Sequence, residues 1–411
     1  MKEKLIFSWL LIMATQIAYG QKSFTINVTN RSNMELNAHP VTVKLQPNIK
    51  SAIVKLNGKE IPCQLDDLDG NGQFEELFFL TDLKGKEKQN FQIQLFDKGI
   101  PRDYEPQVYV EMLLSNKKVK ENNKHDLYIS SLTVDNGTNP YWQLHHHGPA
   151  FENKLVAYRI YFDHRQTVDI YGKYHQGLEL RQTQFYPDSL QKATGFGDDV
   201  LWVGSTLGLG TLRGWDGQEP VMLEDVAHRT LRIIARGPLR TIVEVIDEGW
   251  KAPTAISHTP TPITMTTRYT LYAGRRDCMV DIRFDHPAAD YQFCTGIINV
   301  KNSIEFTDKQ GLRGCWGTDW PVSAKDSVGH KRETVGLGIC IPSQNIIEER
   351  PKDKRNYPYV VATSTNKLRY AITFTSDNED FGYHTADAWF AWLKKWKQNL
   401  DARDSVSIRR K

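Results

Sequence analysis

The sequence predicts a mainly β protein: a small N-terminal β-sandwich followed by a large antiparallel β-sandwich with a C-terminal helix. Three observations carry this. Segments that alternate apolar and polar residues recur along the 411-residue chain, the pattern of half-buried strands. Helix signals between them are few. The one sustained helical period stands at the end, over residues 385–400.

The elements follow in order. Lys2 and Lys4, the apolar run LIFSWLLIMA (5–14) and Ala18-Tyr19-Gly20 have the layout of an export signal cleaved after Gly20. The run is short for a bilayer span, and no later segment is apolar enough to cross one. A periplasmic or secreted chain is expected. Residues 21–100 form the first module, with FTINV (24–28), VTVKL (41–45), AIVKL (52–56), ELFFL (76–80) and NFQIQLF (90–96) as strands. Asn57-Gly58 is a two-residue hairpin signal. GIPRDYEP (99–106) marks a boundary, and residues 101–411 form the second module. Its long strands include VAYRIYF (156–162), TVDIY (167–171), TLRIIAR (230–236), TIVEVI (241–246), ITMTTRYTLYA (263–273), MVDIRFD (279–285) and LRYAITF (368–374). No repeat of roughly 20–50 residues suggests a propeller. Thr385 is placed as an N-cap with Asp387 in the first turn. Trp389, Trp392, Leu393, Trp396 and Leu400 then share one helical face, read as a cover over a sheet, with a sugar-stacking platform as the alternative.

A net charge of +3 argues against nucleic acid as a partner. Five widely spaced cysteines exclude a C-x-x-C zinc site; an exported chain permits one disulfide among the last four. An aromatic content of 11% is mostly sheet packing, with some rings free to stack on sugars.

Two clusters hold chemistry. In Asp66-Asp67-Leu68-Asp69-Gly70-Asn71-Gly72-Gln73-Phe74-Glu75, oxygen ligands at Asp67, Asp69, Asn71 and Glu75 around Gly72 suit a structural Ca²⁺. Phe78 in place of a glutamate at the twelfth position breaks the EF-hand pattern. The competing reading is an acidic turn bonded to its own backbone. The second cluster is YWQLHHHGPAFENKLVAYRIYFDHRQTVDIYGK (141–173). Read as a strand, it puts His145 and His147 on one face and His146 on the other. A metal site would lack a marked third ligand. An acid/base site would use a histidine with Asp169, Tyr171 and Lys173, which share a face by the period of two. Arg159 matches a carboxylate bidentately, Tyr161 and Asp163 flank it, and His164 adds a polar contact. A buried Arg–Asp pair that only stabilises a sheet competes with this. GFGDDVLWVGSTLGLGTLRGW (195–215) is dense in glycine, suits tight turns and close approach, and places Asp198 and Asp199. GCWGTDWPV (314–322) reads as a loop offering Trp316 and Trp320. Nothing matches a serine-hydrolase or nucleotide-binding signature.

HHHG, YRIYFD, VDIYGK and GDDVLWVGSTLGLG, in this order, resemble an uncharacterised family of secreted bacterial proteins that accompany polysaccharide-degradation systems, often for pectin-like uronides. The large module is also similar in pattern to the galactose-mutarotase-like β-supersandwich shared with several polysaccharide lyases, a fold-level analogy only. The segment YHQGLELRQTQFYPDSLQKATGFGDD departs from the family pattern, which calls for a clearer histidine-bearing stretch ahead of the Asp pair. No mechanism comes with the resemblance; the density of these groups on neighbouring predicted strands leads to the expectation of an exported carbohydrate-active enzyme, with no cofactor expected to be required. Its expected partner is a uronic-acid-containing oligo- or polysaccharide, cleaved by β-elimination. Arg159 or Lys173 would neutralise the uronate, a histidine among His145–His147 would act as base, and Tyr171 as base or acid. His164, Asp199, Trp316 and Trp320 would contact substrate. A mutarotase-type or hydrolytic enzyme using Asp169, and a non-catalytic glycan-binding protein, are the alternatives.

Overall fold

The computed structural model describes residues 21–254 and 259–411; the proposed export signal lies outside them. The fold is mainly β, built of antiparallel sheets with a long helix near the C-terminus. No described helix is long and apolar enough to cross a membrane.

In the N-terminal unit the strands Gln21–Asn30, Ser51–Leu56, Lys59–Ile61 and Lys88–Phe96 form one sheet, which packs on a second sheet of Leu36–Lys44, Gln64–Asp66 and Glu76–Leu83. The hairpin at Asn57-Gly58 forms as expected: φ is 52° and 79° at the two turn residues, the doubly positive geometry that matches strand twist. Val28, Val54, Phe79, Phe91 and Ile93 fill the space between the sheets and exclude water. The edge of the first sheet is closed by the chain's last strand, Val406–Arg410, which pairs with Gln21–Asn30.

The larger unit is organised on a nine-stranded antiparallel sheet running from Ser131–Asp135 at one edge to Ile304–Thr307 at the other. Two five-stranded sheets lie side by side over one of its faces. Val243, Val280 and Ile339 from the large sheet meet Phe151, Tyr158 and Ile170 from one small sheet and Phe293, Tyr357 and Val361 from the other in a single core. The opposite face of the large sheet receives the helix Ala386–Arg403. Thr385 caps it, its hydroxyl accepting from Ala388 N at 3.2 Å. Trp389, Leu393 and Trp396 are buried against Leu312, Cys340 and Ala371, so the tryptophan face is a cover. The Trp389 indole N–H donates to the Leu337 carbonyl at 3.2 Å. Gly314 and Gly338 make the close fit possible: a methyl there would meet Leu393 at 2.3 Å and 2.5 Å.

Two sequence expectations fail at this level. GCWGTDWPV is largely strand, within Leu312–Asp319, because Gly314 seats the helix and Gly317 packs close to Val300 and Ser303, and neither makes a turn. Trp316 therefore packs in the helix–sheet layer, and Trp320 lies just past the strand with Arg332 over its ring. The five cysteines are all free and buried, so no disulfide forms.

Candidate functional site

The candidate site lies on one small sheet, whose strands run in the order Asp198–Asp199, Val168–Gly172, Ala157–Ile160, Ala150–Asn153, Val108–Glu111. Alternation decides its two faces. Val110, Phe151, Tyr158, Ile160, Val168 and Ile170 point into the core. The intervening residues point the other way, and the register aligns them: Glu111 opposite Ala150, Ala150 opposite Arg159, Arg159 opposite Asp169, and Tyr171 opposite Asp199. Residues facing each other across a ladder share a side of the sheet. One face thus carries an unusual density of charge, covered by residues 174–197.

The centre is Arg159, 2% exposed. Its Nη2 donates to Asp169 Oδ2, to Asp199 Oδ2 at 2.9 Å and to Tyr161 Oη at 3.3 Å, and its Nη1 to Tyr186 Oη at 3.0 Å. The guanidinium lies 3.9 Å over the Phe185 ring, a cation–π contact. Tyr161 Oη donates to Asp169 Oδ2 at 3.1 Å. Asp169 is fully buried, whereas the Asp199 side chain keeps 21% of its surface. Two carboxyl groups therefore share one guanidinium nitrogen. Burial and the neighbouring Asp169 push the Asp199 carboxyl well above the ordinary range, against the pull of Arg159. Burial raises the Asp169 carboxyl as well, against the pull of Arg159, and Asp199 is the more open member of the pair. Its strand reaches this position because Gly197 has no side chain: a methyl would fall 2.0 Å from the Gly172 carbonyl.

The three histidines are not on a strand. His145–His147 form a 3₁₀ turn with left-handed φ of 43° at His146 and 70° at His147. The turn is pinned by Gly148, whose added Cβ would sit 1.8 Å from the Ile160 carbonyl, and by Phe162 N donating to His147 O at 2.9 Å. The period of two is lost, so the expected shared face of His145 and His147 is wrong. His145 stacks on His125 at 3.9 Å. His146 is buried with Nε2 3.2 Å from Glu111 Oε1. Burial drives this imidazole down to about 3 and the Glu111 carboxyl up to about 8. Both shifts favour the neutral forms of the two partners, and the contact is read as a hydrogen bond between neutral groups. His147 Nδ1 donates to the Tyr141 carbonyl at 3.0 Å, which leaves Nε2 as a lone-pair acceptor. Burial lowers His147 to about 4, so it is neutral near pH 7.

Around His147 stand aromatic rings. Tyr141 stacks on it at 3.7 Å, and Trp142 and Tyr161 meet it edge-on at 5.2 Å and 6.0 Å. Trp142 is 78% exposed. Arg165, ion-paired to Asp163, lies 4.7 Å over Tyr141.

Tyr171 and Lys173 share the face of Asp169 as expected, yet both are sealed inside. Tyr171 Oη donates to Glu179 Oε2 at 2.9 Å, and Lys173 Nζ donates to Glu152 and to the Gly177 carbonyl at 2.5 Å. Glu152 also accepts from the backbone N–H groups of Glu179 and Leu180. This second network anchors the covering segment and leaves neither group free to meet a substrate. His164 stands apart, 3.8 Å from Glu224, at a separate hollow of about 180 Å³. Residue-by-residue reading missed Tyr141, Trp142 and Tyr186 at the site and Glu111, Glu152 and Glu179 behind it. The acids in VYVE and AFEN did carry a signal, since each interrupts a strand at the period of two.

The acidic loop lies elsewhere. Asp67 accepts from the backbone N–H of Gly70, Asn71 and Gly72 at 2.7, 3.1 and 2.8 Å, Asn71 donates its amide to Asp69, and Glu75 accepts from Leu68 N. This is the self-bonded turn. Carboxylate oxygens of Asp67, Asp69 and Glu75 nonetheless lie within 4.8 Å of one another. The Asn71 carbonyl oxygen accepts from Gln73 N at 2.8 Å.

With this geometry in place, comparison with known proteins gives one firm result. Residues 28–406 match a domain of unknown function, DUF4861, and the chain belongs to that family. No curated protein matches it. Two solved structures from Enterococcus faecalis are similar at 10% identity: a protein in the glycosyl hydrolase family 38, at a TM-score of 0.49, and an alpha-mannosidase, at 0.46. Each alignment covers 95% of this chain but only 47% and 46% of the other, so the chain spans about half their length.

Proposed function

We propose that this member of the family is an exported carbohydrate-active protein in which Asp199 is the general acid and the free Nε2 of His147 the base. The observation that carries this is the partly open Asp199 carboxyl held on the same guanidinium nitrogen as the buried Asp169. Such an arrangement keeps a proton on a carboxyl at neutral pH, where a glycosidic oxygen could receive it. Trp142 and Tyr141 would form the rim on which a sugar face stacks. The uronic-acid partner stays within the proposal, with Arg165 rather than Arg159 as the cation nearest that rim.

The same geometry favours hydrolytic or mutarotase-type chemistry over β-elimination. Elimination needs an open cation to neutralise the substrate carboxylate. Arg159 spends its terminal nitrogens on Asp169, Asp199, Tyr161 and Tyr186, Lys173 is bound to Glu152, and Arg165 at the rim is paired with Asp163. No cofactor is required in this reading.

The test is a panel of neutral and uronate-containing oligosaccharides, followed for new reducing ends and for the absorbance of unsaturated uronides. Reducing ends without that absorbance are expected, falling about a hundredfold in Asp199→Asn while binding persists. Full activity in Asp199→Asn, or no binding to any saccharide, overturns the proposal. Absorbance would restore elimination, and binding without product would leave a glycan-binding module.

A further inference from the structure

We infer that the cleft between the C-terminal helix, the large sheet and the N-terminal unit is a second binding site, for a small carboxylate-bearing sugar. It measures about 420 Å³, within the usual size of small-ligand sites. Its wall combines apolar and cationic groups: Tyr272, Met279 and Leu400 beside His39, Arg275 and Arg403.

The charge at the inner end is incomplete. Arg275 is paired with Asp277, its Nε donating to Oδ1 at 2.8 Å and its Nη2 to Oδ2 at 2.5 Å. Arg403 donates only to backbone carbonyls, Asn37 O at 2.6 Å and Ala38 O at 3.4 Å, with no carboxylate within ion-pair distance among the described residues. One of two neighbouring guanidinium groups is therefore left without a carboxylate partner in a largely buried place. The consequence is visible on Arg403 itself, whose pKa burial and the charge of Arg275 lower to about 10. Beside them His39 is 6% exposed, and its Nδ1 has no hydrogen-bond partner. Burial and the two arginines hold this imidazole down at about 3, so it is a neutral polar group without a partner.

The other charges of the cleft are compensated or outward. Lys397 pairs with Asp401 at 3.2 Å and Arg369 with Asp281 at 3.0 Å, while Asp401 and Asp404 are exposed. A carboxylate placed against Arg403 would supply the missing anion and form charge-assisted hydrogen bonds with a guanidinium. The sugar ring would rest on Met279 and Leu400, with a hydroxyl able to meet His39. None of these residues belongs to the Asp199 site, so the carboxylate preference stands whether or not that site is catalytic, while the choice of a sugar rests on the carbohydrate reading proposed above.

The experiment is calorimetric titration of the intact protein with glucuronate and galacturonate, with glucose and galactose as neutral controls. Saturable binding of the acids alone is expected, weakening as salt is raised. Arg403→Gln should bind about tenfold more weakly or worse, and Asp199→Asn should bind normally. Because Arg403 also braces the strand irregularity at Asn37 and Ala38, Leu400→Trp supplies a charge-neutral check: filling the cleft should abolish binding with the melting temperature retained. Equal binding of neutral and acidic sugars, no binding of either acid, or unchanged affinity in Leu400→Trp would overturn the inference.

Discussion

At the scale of single residues, burial raises several carboxyl groups above their ordinary range. Asp199 and Glu111 are both raised, for the same first reason, and both sit on the polar face of one sheet. For Glu111 the sign is clear. The folded state binds a proton that the unfolded chain releases above its ordinary value of 4.5, up to the folded value of about 8. Across that window the unfolded chain holds fewer protons, so stability declines as pH rises and levels off beyond pH 8. Glu111→Gln keeps the hydrogen bonds and removes the titration. Its melting temperature should exceed that of the parent at pH 9 and approach it at pH 5; identical pH profiles would refute the assignment. At the rim, Trp142→Ala should raise KM for a saccharide with little change in kcat, because an exposed ring offers ground-state stacking and no chemistry.

At the scale of elements, the contact between helix and sheet is the most exacting. Leu393→Ala removes a buried side chain from between Gly314 and Gly338 and should cost about 2–5 kcal/mol in denaturant unfolding. Gly338→Val should cost at least about 1–3 kcal/mol by overpacking, since its Cβ begins 2.5 Å from Leu393. A Gly338→Val protein as stable as the parent would mean that the helix does not seat there. The acidic loop gives the opposite expectation. Its carboxylates are already taken by backbone amides, so added calcium or a chelator should leave the melting temperature unchanged. A clear rise with calcium would show instead that Asp67, Asp69 and Glu75 hold an ion that steadies the N-terminal unit.

At the scale of the whole molecule, the first and last described strands are paired. The strand Val406–Arg410 covers the edge of Gln21–Asn30, and Arg410 lies 3.9 Å over the Phe24 ring. Deleting residues 405–411 should lower the melting temperature and promote association through the bared edge; an unchanged melting temperature and oligomeric state would show that the pairing is dispensable. This closure was not legible in the sequence, because pairing between distant strands leaves no local trace. The strands and the terminal helix were legible, since periods of two and 3.6 record which side faces the core. The histidine turn was not: its left-handed backbone is imposed by Gly148 against Ile160, far along the chain. Alternation alone groups Asp169 with Tyr171 and Arg159 with Tyr161, each within its own strand, but the meeting of Arg159 with Asp169 and Asp199 needed the register between strands. Trp316 misled because glycines that admit a helix resemble glycines that make a loop. The central claim is most directly tested by following the Asp199 carboxyl carbon by NMR in the aspartate-labelled protein, with Asp199→Asn identifying the signal. The account predicts a group still protonated at pH 7; titration complete near pH 4 would contradict it.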